Sequence, residues 1–430
     1  MNQLPAGFVE EMSLQLPQEE LQAFLQSYEQ PYLRGLRMNR LKPCGFVAEG
    51  ISDPVPWEQG ARYLSPESEA GAHPMHEAGA YYIQEPSAML PVAVLDPQPG
   101  EWVLDLCAAP GGKTTQIAGR MQGEGLLVTN EPVPKRAQIL SRNVERMGVP
   151  NAVVVSAYPE QLAASWSGMF DAVLVDAPCS GEGMFRRHPE SREEWSPENR
   201  DGCAARQRQI LAEAAKLVRP GGRLVYSTCT LNHWENEDNA QWLLRERPDF
   251  HVQGFEAGGI ACSQGMLTCY PHRMWGEGQF AALFFREDEA QADHTMNALP
   301  VPDKQQLSVL KGFGAPMPEH LHLFGDTIVS LRCCPPLKGI RVLRTGIHLG
   351  QVKGKLFQPD HAWALAAAAP EMPRISLTAE EALRYQHGET IPVPETIKGW
   401  VLPTLEGLAL GWGKASGGVM KNHYPKGLRR

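Results

Sequence analysis

Between Tyr81 and Arg286 the sequence alternates short apolar runs with longer segments of helical period. Each apolar run has the length of a buried strand. The predicted strands are 102–106, 125–130, 152–155, 171–176, 223–227 and 279–285, and the predicted helices are 114–121, 133–147, 160–165, 201–218 and 235–245. Repeated strand–helix units predict a mainly parallel sheet with helices on both faces. We therefore expect an α/β fold with a doubly wound, Rossmann-like core.

Different patterns flank this segment and predict further units. The N-terminal part has two helical patterns followed by a stretch broken by proline and glycine, typical of a small α+β domain. A polar, acidic stretch with two prolines follows the α/β segment and indicates a linker. The end of the chain is Gly-rich with short strand-like runs, which favours a β-rich module. The expected boundaries are 1–75, 76–286, 287–303 for the linker, 304–375 for an intermediate domain and 376–430 for the last module.

Composition limits the class of protein. The 430 residues are 43% hydrophobic and 21% charged, as is usual for a protein that folds in water. No apolar run approaches the roughly 18 residues of a membrane helix, and the N-terminus does not resemble a secretory signal. Nine cysteines without a Cys-x-x-Cys pair, and thirteen histidines without a His-Glu-x-x-His pattern, argue against a disulfide framework and a zinc site. We expect a reduced, cytoplasmic protein without a metal.

Basic residues are grouped in three stretches that lack acids, although the net charge is −9. Stretches of this kind can follow the phosphates of a nucleic acid. For any single stretch the alternative is an ordinary solvated surface. The basic residues are Arg34, Arg37, Arg40 and Lys42; Arg332, Lys338, Arg341, Arg344, Lys353 and Lys355; and Lys414, Lys421, Lys426, Arg429 and Arg430.

The first predicted strand ends in Asp105 and runs into a loop of small residues, 107–115. Small residues at the first strand–helix turn allow the backbone to approach a ligand closely. A phosphate-binding Walker loop is a weak alternative, because Gly-Lys-Thr is present but Cys107 replaces the first glycine and Pro110 stiffens the turn. The second strand ends in Glu131, where an acid can accept hydrogen bonds from two ribose hydroxyls. Together these features favour a methyl-donor nucleoside such as S-adenosylmethionine, although Glu131 could instead cap the next helix.

Cys179 and Cys229 follow the fourth and fifth of these strands. Neighbouring parallel strands end at the same edge of a sheet, so both thiols should face one cleft, with a flexible loop at 180–183 beside them. A lone cysteine in such a run is usually a small buried hydrophobe. Two of them, with Asp176 nearby, suit methylation of an unactivated ring carbon. A thiolate adds to cytosine C6, C5 becomes nucleophilic, and a carboxyl group hydrogen-bonds the base.

Three motifs resemble the Nol/Nop/Sun family of RNA 5-methylcytosine methyltransferases. They are Leu-Cys-Ala-Ala-Pro-Gly-Gly-Lys-Thr (106–114), Asp-Ala-Pro-Cys-Ser-Gly-Glu-Gly (176–183) and Tyr-Ser-Thr-Cys-Thr-Leu (226–231), supported by Asn-x-x-Glu-Asn-Glu (232–237). Further matches at 183–187 and 195–198 are similar to the bacterial RsmF-like branch. The resemblance covers about 30–286, and the segment 411–429 resembles the PUA-like RNA-binding module of that branch.

The resemblance implies a role for each matching residue. Cys229 corresponds to the nucleophile, Cys179 to the thiol that assists product release, and Asp176 to the acid that holds the cytosine. Lys113 is placed near the base by analogy. The implied contacts of S-adenosylmethionine are Cys107, Ala108, Ala109, Pro110, Gly111, Gly112, Lys113, Glu131, Arg136 and Asp176. The family usually has an aspartate beside the adenine after the third strand, but this chain has Val155-Ser156-Ala157-Tyr158. The adenine contact could fall to Ser156 or to the backbone, so it is not assigned.

The sequence therefore predicts a cytoplasmic, S-adenosylmethionine-dependent RNA cytosine-C5 methyltransferase. By resemblance, its partner is small-subunit (16S-type) ribosomal RNA or a small-subunit particle, and the N-terminal domain also binds RNA. We expect a monomer without a membrane partner. Two alternatives stay open: an enzyme that uses a nucleoside triphosphate at Gly112-Lys113-Thr114, and a non-catalytic RNA-binding protein with the same fold.

Overall fold

The computed structural model describes residues 4–287 and 294–429, so 288–293 of the expected linker lie outside the described residues. A sheet of nine strands forms the centre of the fold. In spatial order eight of them are Phe250–Val252, Gln279–Arg286, Val218–Thr228, Phe170–Asp176, Trp102–Asp105, Leu126–Asn130, Ala152–Ser156 and Arg341–Thr345, and Met266–Cys269 also pairs with Gln279–Arg286. The five strands from Val218–Thr228 to Ala152–Ser156 are parallel and the others are antiparallel. The predicted α/β class is confirmed.

Helices cover both faces of the sheet, as the alternating pattern predicted. Side chains alternate between faces along a strand, so Leu104 and Val153 enter one core while Val103 and Val154 enter the other. The first core packs against Pro159–Trp166, Pro197–Leu217 and Glu237–Glu246. The second packs against Leu90–Leu95, Gly112–Arg120 and Pro134–Arg146. Each predicted helix lies within a few residues of its observed position.

The N-terminal segment combines two helices with a small antiparallel sheet. The helices are Ala6–Gln15 and Gln18–Ser27, and the strands are Ile51–Pro54, Ala61–Leu64, Arg34–Met38 and Tyr81–Gln84 in spatial order, with a short helix at Pro74–Glu77. An aromatic cluster fixes the two helices to the α/β segment, because Phe8 packs edge-on against Phe185 and Trp195 at ring distances of 5.2 and 5.9 Å. This packing places the N-terminal segment beside the loops that contain Cys179 and Cys229.

The C-terminal part adds two further sheets. One contains Leu321–Phe324, Thr327–Ser330, Ile347–Lys353 and Leu356–Pro359, with helices Lys304–Gly312 and His361–Leu365. The other contains Arg374–Ser376, Ile391–Pro392, Gly399–Leu405, Leu408–Ala409, Gly413–Ser416 and Val419–Asn422, with helix Ala379–His387. Strand Arg341–Thr345 leaves this part and joins the edge of the central sheet beside Ala152–Ser156. Among the described residues, no helix combines the length and apolar character that a membrane crossing requires.

Candidate active site

The two cysteines meet at the carboxyl edge of the parallel strands. Asp176 and Ser227 are paired neighbours on adjacent strands, and the chain then continues to Cys179 on one side and Cys229 on the other. Their Sγ atoms are 3.4 Å apart. Both line a cleft of about 1240 Å³ that also includes Cys107, Ala109 and Glu131. The expected single cleft is therefore present, and it exceeds the roughly 300–1,000 Å³ of most small-molecule pockets.

Two buried glutamates hold the cysteine loops against each other. Glu235, which follows Cys229, accepts hydrogen bonds from the Ser180 N–H at 3.0 Å and from the Gln207 side chain at 2.7 Å. Glu182, which follows Cys179, accepts from the backbone N–H groups of Leu231 and Asn232 at 2.8 and 3.0 Å. Each loop therefore supplies a carboxylate to the other, which fixes the relative position of the two thiols.

These glutamates were not identified from the sequence, and the expectation of a flexible loop at 180–183 is wrong. Both carboxylate side chains are completely buried, and a buried charge persists only where hydrogen bonds compensate it. Burial is the main reason that the pKa of Glu235 lies above its ordinary value. The Asn-x-x-Glu motif at 232–235 contained the signal, because Asn232 donates to both Glu182 and Glu235 at 2.9 Å.

Asp176 lines the cleft and forms an ion pair with Lys113. The Lys113 Nζ lies 2.8 Å from one Asp176 oxygen, and the other oxygen accepts from Ser227 at 3.1 Å and Gln279 at 3.2 Å. Burial alone would lower the pKa of Lys113, but the Asp176 carboxylate outweighs it and the net pKa is raised. Lys113 is therefore a cation held at the reactive edge. It is engaged by a carboxylate, which disfavours the nucleoside-triphosphate alternative.

The small-residue loop leads into helix Gly112–Arg120. Gly111 adopts a left-handed φ of 113°, a conformation that favours glycine. From the N-terminal sheet, Arg37 donates to the Gly112 carbonyl at 3.0 Å and to the Thr115 hydroxyl at 2.9 Å. Asn143 donates to the Pro110 carbonyl at 2.8 Å. The loop is thus fixed from two sides by side chains outside it.

Glu131 caps the turn before the next helix, which is one of the two interpretations that the sequence left open. Its Oε1 accepts from the Val133 N–H at 3.0 Å, just before helix Pro134–Arg146 begins. Its Oε2 lies 3.3 Å from Arg136, whose guanidinium also donates to the Ala109 carbonyl at 3.1 Å. Glu131 also lines the cleft, so its role toward a ribose stays a prediction.

Two other cleft residues differ in their chemistry. Burial raises the pKa of the Cys107 thiol well above its ordinary value, so this thiol stays protonated at neutral pH. After the third strand, Tyr158 lines the cleft and is 61% exposed, whereas the Ser156 hydroxyl donates to the Pro132 carbonyl at 3.3 Å. Tyr158 was not singled out from the sequence.

The basic stretches separate into buried and exposed residues. Arg37 and Lys42 are 1% and 5% exposed and donate to backbone carbonyls, so their proposed role at phosphates is wrong. Arg344 is also buried, paired with Glu145. The exposed basic residues are Arg40, Arg332, Lys338, Arg341, Lys353, Lys355, Lys414, Lys421, Lys426 and Arg429. Arg430 lies outside the described residues.

Within the described ranges, no cluster of three or more His, Cys, Asp or Glu residues could hold a metal ion.

Four family models match consecutive parts of the chain. Residues 92–285 match the 16S rRNA methyltransferase RsmB/F model, and 4–86 match the N-terminal domain of 16S rRNA methyltransferase RsmF. Residues 308–366 match the RsmF first C-terminal domain, and 373–430 match the methyltransferase RsmF PUA domain.

Relatives and solved structures agree with these matches. The chain is 32% identical to ribosomal RNA small subunit methyltransferase F of Escherichia coli strain SE11 over 470 residues, covering 99% of this chain and 96% of the relative. The same protein of Shigella boydii is 32% identical over 475 residues, with the same coverage.

Two solved structures from Pyrococcus horikoshii share the fold. A methyltransferase homolog protein is 29% identical, with a TM-score of 0.55 over 64% of this chain and 92% of the other. NSun6, solved with SFG, is 21% identical, with a TM-score of 0.57 over 66% of this chain and 99% of the other. With full-length identity of this order, the chain belongs to the family of small-subunit ribosomal RNA methyltransferases designated RsmB/F.

Proposed function

We propose that this protein methylates C5 of a cytosine in small-subunit ribosomal RNA, with S-adenosylmethionine as methyl donor and Cys229 as covalent nucleophile. The observation that supports this best is the pair of thiols 3.4 Å apart in a cleft that Asp176 also lines, with Lys113 paired to Asp176. Methylation of a carbon that is itself a poor nucleophile needs temporary covalent activation. A single buried thiol would serve packing equally well, whereas two thiols beside a carboxylate and an ammonium suit this chemistry.

The donor set of the cleft fits S-adenosylmethionine. Cys107 and Ala109 of the small-residue loop line the cleft, where small side chains let the backbone approach a ligand, and Glu131 offers carboxylate oxygens suited to a ribose diol. Arg136 holds the Glu131 carboxylate in place. When bound, the cofactor supplies an electrophilic methyl group. The remaining cofactor contacts are proposed on the family resemblance.

Each residue of the proposed site has its own role in the reaction. The Cys229 thiolate adds to C6 of the cytosine, which moves the electrons of the C5–C6 double bond into the conjugated ring and makes C5 nucleophilic. C5 would then bond to the methyl carbon as the bond from that carbon to the cofactor sulfur breaks, which leaves S-adenosylhomocysteine. Asp176 hydrogen-bonds the base, and Lys113 keeps that carboxylate oriented at 2.8 Å. Loss of the C5 proton then restores the double bond and expels the Cys229 sulfur. We propose that Cys179 assists this last step.

The rest of the chain would hold the RNA. The target base must leave its stack to reach the cleft. We propose that the N-terminal domain (1–75) and the PUA-like module (376–430) flank the catalytic domain (76–286) as RNA-binding parts of a monomeric, cytoplasmic enzyme.

Transfer of a labelled methyl group tests the proposal directly. Small-subunit RNA from cells that lack this protein is incubated with the enzyme and methyl-labelled S-adenosylmethionine, then digested to nucleosides. We expect the label in 5-methylcytidine, and bisulfite sequencing should locate it. Label in any other nucleoside, or none with either naked RNA or small-subunit particles, would contradict the proposal.

A further inference from the structure

A second cleft lies where three parts of the chain meet. Its volume is about 390 Å³, within the usual range of ligand pockets. It is lined by Glu145 from the catalytic domain, by Gln358, Pro359, Asp360 and His361 from the intermediate domain, and by Trp400, Trp412, His423 and Pro425 from the last module. It is separate from the cysteine cleft, with which it shares no lining residue.

The register of the last sheet places an aromatic ring beside two lysines. Trp400 is paired with Lys414, and Lys414 is paired with Lys421 on the next strand. Directly opposite residues point to the same face, so the three side chains form one row across the sheet. The Lys414 Nζ lies 5.5 Å from the centre of the Trp400 ring. Like charges directly opposite each other destabilise a sheet, and an anion bound between them would relieve this cost.

The walls of the cleft are aromatic and its charged residues are acidic. The His423 ring lies 4.6 Å from the Trp400 ring, and Trp412 lies behind Trp400 at 6.0 Å. Burial lowers the pKa of both His423 and His361, so the two imidazoles are neutral at physiological pH. Glu145 and Asp360 add carboxylates to the lining. Glu145 Oε2 pairs with Arg344 and Asp360 Oδ1 accepts from the Ala362 N–H, so it is the second oxygen of each carboxylate that can accept a hydrogen bond from an amine. An aromatic cleft with lysines at one side and carboxylates within it suits a nucleotide better than a simple anion.

We propose that this cleft binds one unstacked nucleobase of the RNA, which stacks on Trp400 while Lys414 and Lys421 contact the adjacent phosphates. The carboxylates favour bases with an exocyclic amine, so adenine, cytosine and guanine should bind better than uracil. The inference rests on the proposed function, because it takes the ligand to be the RNA substrate. It adds a second anchoring point beside the last turn of helix Pro134–Arg146, which contributes Glu145 to the cleft.

Direct binding tests the site without any methyl transfer. Labelled single-stranded oligo(A), oligo(C) and oligo(U) on the order of ten nucleotides long are titrated with the full-length protein while anisotropy is recorded. Loss of one stacked base should weaken binding about tenfold, so Trp400→Leu should show this loss for oligo(A) and oligo(C), and Trp400→Phe should restore most of it. Lys414→Ala should also reduce the slope of log affinity against log salt by about one.

Matched variants separate the site from general damage. His423→Ala should weaken binding several-fold, whereas His387→Ala, an exposed histidine of the same module outside the cleft, should not. Trp400 also packs near Phe313, so Trp400→Leu could unfold the protein, and melting temperatures are measured for every variant. His423 and Lys414 are exposed, so His423→Ala and Lys414→Ala still test the site if Trp400→Leu unfolds. Wild-type affinity in folded His423→Ala and Lys414→Ala would overturn the inference.

Methylation assays distinguish this inference from the proposed function. If the enzyme methylates small-subunit RNA and both His423→Ala and Lys414→Ala keep the wild-type KM for RNA, only the nucleobase site is refuted. If the oligonucleotides bind through this cleft but no methyl group is transferred to cytosine, only the proposed function is refuted. With both correct, His423→Ala should raise KM for RNA while kcat stays within about twofold, the pattern expected for loss of uniform binding.

Discussion

The Sγ atoms of Cys179 and Cys229 are 3.4 Å apart, which makes one thiol the hydrogen-bond partner of the other. The hydrogen bond to Cys229 and burial both raise the pKa of Cys179 well above its ordinary value. Cys179 therefore keeps its proton at neutral pH, and this protonated thiol lies against the Sγ of the proposed nucleophile. Because the thiolate is the reactive form of cysteine, Cys179 is poorly suited to attack C6, and we assign it the helper role.

Replacement of the proposed nucleophile should separate binding from chemistry. Cys229→Ala removes the atom that adds to C6, so we expect methyl transfer to fall below detection while S-adenosylmethionine binds within about threefold of the wild-type affinity. Calorimetric titration and labelled methyl transfer measure the two properties. Cys262→Ala, which removes a thiol outside the cleft, should be as active as the wild type. Substantial activity in Cys229→Ala would rule out its role.

Replacement of the second thiol should block release instead. If Cys179 assists expulsion of the Cys229 sulfur, Cys179→Ala should form the covalent RNA adduct and fail to resolve it. We expect a band of protein linked to RNA that survives denaturing electrophoresis, and that disappears in the double variant Cys179→Ala/Cys229→Ala. A single variant that turns over normally, or an adduct that persists in the double variant, would contradict the division of roles.

Glu182 and Glu235, which each accept hydrogen bonds from the loop of the other cysteine, should contribute to both stability and catalysis. Glu235→Gln places an amide donor among the donors of Ser180, Gln207 and Asn232. Hydrogen bonds to a charged group contribute about 1.5–3 kcal/mol each, so we expect a loss of roughly 2–4 kcal/mol in the free energy of unfolding and a clear drop in kcat. Urea denaturation and methyl transfer measure these effects. The exposed Glu246→Gln is the matched control, and equal stability of both variants would show that Glu235 does not hold the loops.

The parts of the fold that repeat were predictable from the sequence. Apolar strands such as 102–106 and 171–176 alternate with amphipathic helices, and this periodicity reflects burial on both faces of a parallel sheet. The addition of Arg341–Thr345 to the edge of that sheet was not predictable, because an edge pairing made over a long sequence separation leaves no periodic signal.

The site was predictable where a residue's type limits its chemistry, and less so where its role depends on long-range contacts. Cys179 and Cys229 could be placed at one cleft because each ends a strand. Glu182 and Glu235 could not be distinguished from surface acids, because their partners lie about 50 residues away in the chain. Arg37 looked like part of a basic surface for the same reason.

Substitution of Arg37 should destabilise the fold, whereas substitution of Arg40 should not. Arg37→Gln removes a buried guanidinium that donates to Gly112 and Thr115. A buried polar group that loses its hydrogen-bond partner costs about 1–3 kcal/mol, so we expect the free energy of unfolding to fall by at least roughly that amount, and the loosened loop should also weaken S-adenosylmethionine binding. The exposed Arg40→Gln should change neither property. Thermal melts and calorimetric titration are the measurements, and equal melting temperatures would contradict the structural role of Arg37.

Asp105 should give the stability a distinctive dependence on pH. Its side chain is fully buried, and burial is the main reason that its pKa rises from 3.8 to about 7, although the Thr114 hydroxyl donates to it at 2.6 Å. Between pH 4 and 7 the folded protein binds a proton that the unfolded chain has lost. The free energy of unfolding therefore falls as pH rises through this range, by about 1.4 kcal/mol per unit, and this contribution is constant above pH 7.

Asp105→Asn cannot titrate, so it isolates this effect. The free energy of unfolding of the variant minus that of the wild type should increase by roughly 2–3 kcal/mol from pH 5 to pH 7 and then level off. Any difference in hydrogen bonding between the amide and the carboxyl shifts the stability of the variant by an amount that does not depend on pH, so it does not alter the slope. Urea denaturation at several pH values provides the measurement, with the exposed Asp326→Asn as control. A difference that stays flat from pH 5 to pH 8 would mean that Asp105 is ionised throughout.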